Sequence, residues 1–167
     1  MQWRYQAVSW DQLHADARAL AQLLLGRGPF RGVVAITRGG LIPAAIIARE
    51  LEVRLVETVS ILTYGQSGAD WTEIGDPVVI KPPAAAGDGE GFLIVDDLVD
   101  TGATARMVRR VLPRALFACL YAKPAGMAAT DLFIAEVTQD TWLMFPWDTA
   151  QQFIEPLVKR EPPETQG

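Results

Sequence analysis

The chain has 167 residues, of which 50% are hydrophobic, and it carries a formal net charge of −5. This length favours a single domain, 1–167, and the hydrophobic fraction is sufficient for a sizeable core. No basic block is present, which argues against a nucleic-acid partner, and an acidic protein that binds an anion needs local positive charge or a metal. The one cysteine, Cys119, excludes an internal disulfide and is typical of a reducing compartment.

The sequence contains no targeting or membrane-spanning signal that we recognise. No apolar run is long enough to cross a bilayer, and Met1 to Ala7 lacks the charged and then apolar pattern of a signal peptide. We therefore expect a cytoplasmic protein. At the other end, residues 161–167 contain two prolines and are predicted to form a disordered tail.

The first predicted element is a helix. Ser9 followed by Gln12 is typical of a capping box, and apolar residues then recur at helical spacing as far as Leu24. Gly26 favours the end of this helix. His14 lies within it, far from every motif, so we expect a residue at the surface or at the edge of the core.

A strand, a glycine-rich loop and a second helix follow. Gly32–Thr37 is predicted to be a buried parallel strand, and Arg38-Gly39-Gly40 comes directly after it. Pro43 suits the first turn of the next helix. Two glycines and an arginine at this point offer exposed N–H groups and a guanidinium, which favours a diphosphate ligand over a simple turn.

The middle of the chain is predicted to be less regular. Leu55–Tyr64 indicates another strand, whereas residues 65–90 are rich in glycine and proline. Such a segment predicts a long loop that is either functional or disordered. Within it, Val78–Ile80 predicts one arm of a hairpin.

The most informative run of the sequence is Phe92–Thr104. Its first four residues are apolar and rich in β-branching, which predicts a buried strand that ends at Asp96 and Asp97. Asp100–Thr104 is predicted to be a tight turn that opens a helix, and Pro113 ends this helix.

The turn Asp100–Thr104 has the features of a phosphate site. A helix start offers free N–H groups and a partial positive charge, the threonine hydroxyls add donors, and Gly102 lets a phosphate approach the backbone. Asp96 and Asp97 repel phosphate, so we assign them to a pair of sugar hydroxyls or to a hydrated Mg²⁺. An Asp-x-Gly turn alone is common, but three carboxylates after one buried strand are unfavourable unless something binds there.

The last third of the chain predicts two more strands, Ala115–Ala122 and Asp131–Val137, and a lysine at a sheet edge. Lys123 follows the first strand, at the end of a parallel strand where ligands bind in α/β sheets. An isolated lysine is usually a solvated charge, but the Pro-Ala-Gly that follows favours a site. Trp142 either stacks on a ligand or belongs to the core, and for Trp147 the core is the stronger alternative.

The run Phe92–Thr104 resembles the motif that binds phosphoribosyl diphosphate (PRPP) in type I phosphoribosyltransferases. Arg38–Gly40, Lys123–Gly126 and the segment 139–148 resemble the purine branch of that family, the bacterial xanthine-guanine phosphoribosyltransferases. These motifs occur in the order found in the family and span most of the chain, from about Trp10 to Asp148.

The resemblance implies a purine-salvage enzyme that moves the 5-phosphoribosyl group of PRPP onto N9 of guanine, xanthine or hypoxanthine and releases pyrophosphate. It implies Mg²⁺ as the cofactor, with Asp97 as its ligand, and Asp100 as the catalytic residue that handles the N7 proton as general base or acid. The implied PRPP-binding residues are Arg38, Gly39, Asp96, Asp97, Asp100, Thr101, Gly102, Ala103 and Thr104. The implied base-binding residues are Lys123, Trp142 and Leu143.

The chemistry of a purine base explains why each of these residues would bind it. The Lys123 ammonium would donate to the 6-oxo group and would disfavour adenine, which carries an amino group there. Trp142 would stack on the base, which is worth about 1–3 kcal/mol. Backbone carbonyls near Trp142 and Leu143 would accept from the 2-amino group of guanine. Asp148 would assist through a metal or a water.

The fold that the resemblance implies is α/β: a mostly parallel, twisted sheet flanked by helices, with a small hood lobe built from segments after Lys123. It also implies a flap within residues 65–90 that closes over PRPP, rooted at Thr63-Tyr64. Family flaps usually carry a basic residue, which residues 65–75 lack, and Lys81 is the candidate substitute. A cis peptide bond is implied between Arg38 and Gly39.

Two questions stay open at this stage. The alternatives to the salvage enzyme are a regulator of the same fold that senses PRPP or a nucleotide without catalysis, and a phosphoribosyltransferase that prefers hypoxanthine or another base. The resemblance also implies a homo-oligomer, dimer or tetramer, and leaves open weak peripheral contact with the inner face of the cell membrane.

Overall fold

The computed structural model describes residues 3–67, 70–150 and 152–153, with the backbone alone described for residues 63–67, 70–76, 149–150 and 152–153. The predicted tail, residues 161–167, lies outside the described residues. No helix in the described part of the chain combines the length and the apolarity that crossing a bilayer requires.

The described part of the chain contains three α-helices and ten strands. The helices are α1 (Trp10–Leu24), α2 (Leu41–Glu50) and α3 (Ala103–Val111), and the strands are β1 (Arg4–Ala7), β2 (Gly32–Thr37), β3 (Val56–Ser67), β4 (Asp70–Lys81), β5 (Phe92–Val99), β6 (Leu116–Ala122), β7 (Leu132–Glu136), β8 (Thr141–Met144), β9 (Thr149–Ala150) and β10 (Gln152–Phe153). The first helix starts as predicted, because the Ser9 hydroxyl accepts a hydrogen bond from the N–H of Gln12 at 3.1 Å.

Six strands form the main sheet in the order β4-β3-β2-β5-β6-β7. The strands from β3 to β7 pair in parallel, and β4 joins the edge of the sheet antiparallel to β3. This is the mostly parallel α/β sheet that the sequence predicts. Strands β2 and β5 lie side by side at its centre, so the loops that follow them meet at the same edge.

The central strands alternate their side chains between two apolar clusters, as the period of two in a strand requires. One cluster lies between the sheet and helices α1 and α2, and the other lies between the sheet and α3. Full burial of each large apolar side chain contributes roughly 1.5–3 kcal/mol. The sheet residues of the first cluster include Val33, Ala35, Leu93, Val95, Ala118 and Leu120, and those of the second include Val34, Ile36, Phe92, Ile94, Phe117 and Cys119.

Strand β5 is longer than predicted. The sequence placed its end at Asp96 and Asp97, but it continues to Val99 and stays paired with β6. On its other side the pairing with β2 stops at Val95. Beyond Val95, side-chain carboxylates accept hydrogen bonds from N–H groups of β5 that have no partner on β2. Asp96 accepts from the N–H of Asp97 at 3.0 Å, and Asp97 accepts from the N–H of Leu98 at 2.7 Å.

The predicted loop over residues 65–90 is largely a hairpin. Strand β3 runs on to Ser67 and pairs with β4, which starts at Asp70. The predicted arm at Val78–Ile80 is confirmed but forms only the end of β4. Glycine and proline content misled the prediction here, because an edge strand that pairs on one side tolerates both.

The hood lobe also differs from the prediction. It was expected to consist of segments after Lys123, but it includes the N-terminal strand β1, which pairs in parallel with β8 in the register Tyr5↔Trp142. All four residues of β1 are exposed. Tyr5 and Ala7 alternate with Arg4 and Gln6, but the alternation does not reflect burial, and this short segment was not predicted to be a strand.

Candidate active site

The loop after β2 touches the last residues of β5 at the carboxyl edge of the sheet. A Cβ atom on Gly39 would collide with the carboxylate of Asp97, so only glycine allows this approach. Gly40 is enclosed in the same way, with its N–H donating to the carbonyl of Ile36 at 2.8 Å. The structure thus brings together the two loops that the sequence assigned to PRPP, with Arg38 exposed beside them.

One detail of the first loop was wrong. The resemblance implied a cis peptide bond between Arg38 and Gly39, whereas the non-proline cis bond joins Thr37 to Arg38. The turn itself is closed by the N–H of Gly40 and by that of Leu41, which donates to the carbonyl of Arg38 at 3.1 Å.

The two acids in β5 are in an unfavourable electrostatic position. Burial, and then the charge of Asp97, raise the pKa of Asp96 well above its ordinary value. Burial also raises the pKa of Asp97 to about 6, and the negative charge of Asp148 acts in the same direction. A cation or a set of hydroxyl donors placed here would relieve this cost.

The loop Asp100–Thr104 leads into the N-terminus of α3. Gly102 has a φ of 79°, which suits glycine, and it packs against Gly126 of the next loop. The N–H of Ala103 donates to the hydroxyl of Thr101 at 3.4 Å. The position of this loop, directly before the helix start, is the one predicted for a phosphate.

Arg106 is a neighbour of this loop that the sequence reasoning missed. Its Nη1 donates to the carbonyl of Thr101 at 3.2 Å and lies beside Gly102. A cation in the first turn of a helix opposes the helix dipole. An arginine at this unfavourable position, four residues after Gly102, was the sequence signal that could have identified Arg106 as part of the site.

Lys123 and Asp100 form an ion pair at the next loop. The Lys123 ammonium donates to Oδ2 of Asp100 at 2.9 Å, and the lysine is 1% exposed. The other carboxylate oxygen, Oδ1, accepts from the side-chain amide of Gln139 at 2.7 Å. The predicted catalytic acid and the predicted base-binding lysine are therefore in direct contact.

Two tryptophans flank this pair. Trp142 is 53% exposed and meets Trp3 edge to face, with 5.8 Å between the ring centroids. Lys123 Nζ lies 5.6 Å from the Trp3 ring centroid. An exposed Trp142 is available for stacking, whereas Trp147 stacks on Phe145 and packs against the core. Trp3 was missed because β1 carried no recognisable motif.

Leu143 can reach a ligand only through its backbone. Its side chain is 5% exposed and belongs to the core. The carbonyls of Asp140 and Met144 accept from the N–H groups of Arg4, in β1, and Val8, just after it, each at 2.9 Å. Because carbonyls alternate in direction along a strand, that of Trp142 also faces β1, and that of Leu143 points away from it.

A model of the phosphoribosyl transferase domain matches residues 9–154 of the chain. The chain belongs to the phosphoribosyltransferase family. It is 63% identical over 158 residues to the xanthine-guanine phosphoribosyltransferase of Gluconobacter oxydans (strain 621H), covering 94% of this chain and 92% of that one. It is 52% identical to the protein of the same name from Desulfotalea psychrophila, with 95% of each chain covered.

Solved structures share the fold of this phosphoribosyltransferase. The purine phosphoribosyltransferase of Pyrococcus horikoshii Ot3 superposes with a TM-score of 0.73 at 24% identity, over 90% of this chain and 99% of that one. The xanthine-guanine-hypoxanthine phosphoribosyltransferase of Helicobacter pylori gives a TM-score of 0.68 at 21% identity, over 86% and 93%. The predicted family and fold are confirmed.

Three further residues of this phosphoribosyltransferase lie away from the contacts just described. Lys81, the proposed flap cation, donates to the carbonyl of Thr58 at 2.8 Å and lies 3.8 Å from the Glu57 carboxylate. His14 is exposed on α1. Burial raises the pKa of the Cys119 thiol to about 12, so this thiol stays protonated and unreactive in the core. The flap root, Thr63-Tyr64, and residues 65–75 have no described side chains.

Proposed function

We propose that this phosphoribosyltransferase moves the 5-phosphoribosyl group of PRPP onto N9 of guanine, xanthine or hypoxanthine and releases pyrophosphate. The observation that carries the proposal is the Lys123–Asp100 pair, which lies between the loop assigned to phosphate and the exposed ring of Trp142. The names of the relatives at 63% and 52% identity support the choice of bases. No finding favours a regulator without catalysis.

The pair matches one edge of a 6-oxopurine. With a proton on N7, that edge presents an acceptor, O6, beside a donor, N7–H. Lys123 offers a donor and Asp100 an acceptor in the complementary order. Adenine presents an amino group in place of O6, so it offers the Lys123 ammonium a donor where an acceptor is needed, and the lost hydrogen bond would cost about 1–3 kcal/mol.

PRPP would occupy the edge formed by the two touching loops. The N-terminus of α3, with Thr101 and Thr104, would hold the 5′-phosphate. Asp96 and Asp97 would accept from the ribose hydroxyls. Arg38 and the N–H groups at Gly39 would bind the pyrophosphate and stabilise the charge that develops on it as it leaves.

The residues present fit a Mg²⁺ ion, with Asp97 as its protein ligand. Mg²⁺ prefers oxygen ligands and usually binds through one or two carboxylates, substrate phosphates and waters. In the described residues no group of three or more His, Cys, Asp or Glu is arranged to hold a metal, so most of the ligands would come from PRPP and water. When bound, the ion would supply positive charge to the pyrophosphate.

The chemical step is a displacement with inversion at C1′. The lone pair of N9 forms a bond to C1′ while the C1′–O bond breaks and its electron pair goes to pyrophosphate. Bond formation makes the N7 proton more acidic, and the Asp100 carboxylate takes it as general base. Lys123 holds O6 during the transfer, and the two loops fix the sugar against the base.

Measurement of pyrophosphate release from PRPP, with one base present at a time, tests the proposal. We expect release with guanine, xanthine and hypoxanthine, and little with adenine. Release without any base would reject a transferase, and a preference for adenine would reject the role of Lys123.

We also propose that the protein acts as a homo-oligomer, dimer or tetramer, in the cytoplasm. Leu62, Val78 and Ile80 are exposed on the hairpin of β3 and β4, and the register Leu62↔Val78 places them on one face. Such a face is a candidate interface between copies. Light scattering at several concentrations would give the mass, and a monomer at all of them would exclude the oligomer.

A further inference from the structure

Gln139 connects two loops of the candidate site through its side-chain amide. Its Nε2 donates to Oδ1 of Asp100 at 2.7 Å, and its Oε1 accepts from the N–H of Ala125 at 3.1 Å. The residue is half-buried and lies between β7 and β8. Neither bond is available in the flipped amide orientation, which would place oxygen against carboxylate and nitrogen against N–H.

The bond to Gln139 gains importance when a base binds. In the structure Asp100 has a donor on each oxygen, Lys123 on Oδ2 and Gln139 on Oδ1. The O6 atom of a 6-oxopurine would claim the Lys123 ammonium, and Asp100 would then lose one of these two donors. A carboxylate turns easily about its terminal torsion, so the remaining donor determines which way the oxygens face.

We propose that Gln139 is a positioning residue that holds the Asp100 carboxylate in the orientation that accepts the N7 proton. This inference rests on the proposed function, in which Asp100 is the general base. It assigns to Gln139 an effect on turnover that acts through Asp100. The competing role is a purely structural one, in which Gln139 only braces the Lys123–Gly126 loop through Ala125.

Two substitutions separate these roles. Gln139→Glu keeps an acceptor for the Ala125 N–H but removes the donor to Asp100 and brings a second carboxylate against it. Gln139→Met keeps the length of the side chain and removes both hydrogen bonds. If Gln139 positions Asp100, kcat should fall about 10–100-fold in both variants, and at least as far in Glu as in Met. The KM for PRPP should stay within about 2-fold of wild type, since Gln139 contacts Asp100 and Ala125 and none of the residues proposed to hold the phosphates or the ribose hydroxyls.

If Gln139 only supports the Lys123–Gly126 loop, the opposite order of kcat is expected for the two variants. Gln139→Glu would then retain turnover close to wild type, because the bond from Ala125 is preserved, while Gln139→Met would be impaired. That result would overturn the proposal. Unchanged kcat in both variants would overturn it as well. Melting temperatures show whether each variant folds. If Gln139→Met does not fold, the kcat of Gln139→Glu distinguishes the two roles by itself.

Gln12 provides the matched control. Its Nε2 also donates to an aspartate, Oδ1 of Asp16, at 2.8 Å, but this pair is exposed on α1. Gln12→Glu should leave kcat and both KM values unchanged. The wild-type assay separates the two levels of the proposal. Wild type without pyrophosphate release on any base would reject the proposed function, whereas active wild type with active Gln139→Glu would reject only the role of Gln139.

Discussion

The two halves of the site are built in different ways. The PRPP half consists of Arg38–Gly40 and Asp96–Thr104, each a continuous run that leads from a strand to a helix, and it combines backbone groups and closely packed glycines with the side chains within these runs. The base half combines Trp3, Lys123, Gln139 and Trp142, which come from separate parts of the chain and whose side chains contact one another or Asp100. The first half tolerates little change in its backbone, while the second depends on individual side chains.

Asp100 links the two halves, because it belongs to the PRPP half and contacts Lys123 and Gln139 of the base half. Asp100→Asn keeps the shape and an acceptor for Lys123 but cannot take a proton. We expect kcat to fall about 10²–10⁴-fold, the usual range for a general base, while the KM for PRPP changes little. Steady-state kinetics with guanine measures this, and unchanged turnover would remove Asp100 from the mechanism.

Asp97 belongs to the PRPP half, and its burial should lower the stability of the protein when no ligand is bound. Burial raises its pKa to about 6 in the folded state, above that of an unfolded aspartate. Its contribution to stability is therefore present below the unfolded pKa and is lost as the pH rises through about 6. Asp97→Asn should remove that loss and make the ligand-free protein more stable at about pH 8, by roughly 1–3 kcal/mol.

Urea unfolding of wild type and Asp97→Asn without Mg²⁺ tests this at about pH 5 and about pH 8. The same variant should lose activity, because the carboxylate that meets sugar or metal is gone. A variant no more stable than wild type at the higher pH would contradict the electrostatic argument.

Trp3 tests whether the base half includes the N-terminal strand. Trp3→Ala removes the edge-to-face contact with Trp142, which is worth about 0.5–1.5 kcal/mol. We expect the KM for guanine to rise about 2–10-fold while the KM for PRPP is unchanged. Trp10→Ala is the control, since Trp10 meets Trp147 instead. Equal effects of both substitutions would show a general loss of packing.

The same division explains what could be predicted from the sequence. The strand Gly32–Thr37, the capping of α1 and the loop Asp100–Thr104 are local patterns, and the structure places them as predicted. The prediction missed β1, in which the alternation of Tyr5 and Ala7 with polar residues does not reflect burial, and it missed Trp3, which directly precedes this strand. The predicted end of β5 was too early, since two acids inside a strand are unfavourable unless each carboxylate accepts from the N–H of the following residue.

The base half could be predicted only in part for a related reason. Lys123 was identified from its place after a strand, but its partner Asp100 lies 23 residues away in sequence, and the bond between them depends on how β5 and β6 pair. Likewise, the motif around Gln139 was noted without a role. Such contacts follow from tertiary packing, which local patterns do not encode.

The central claim is that the Lys123–Asp100 pair accepts the O6 and N7–H edge of the base and that Asp100 takes the N7 proton. The most direct measurement compares turnover of guanine with that of 7-deazaguanine, which keeps O6 and the 2-amino group but has C–H in place of N7. We predict that 7-deazaguanine is turned over at least about 10²-fold more slowly than guanine. Equal turnover of the two bases would contradict the account.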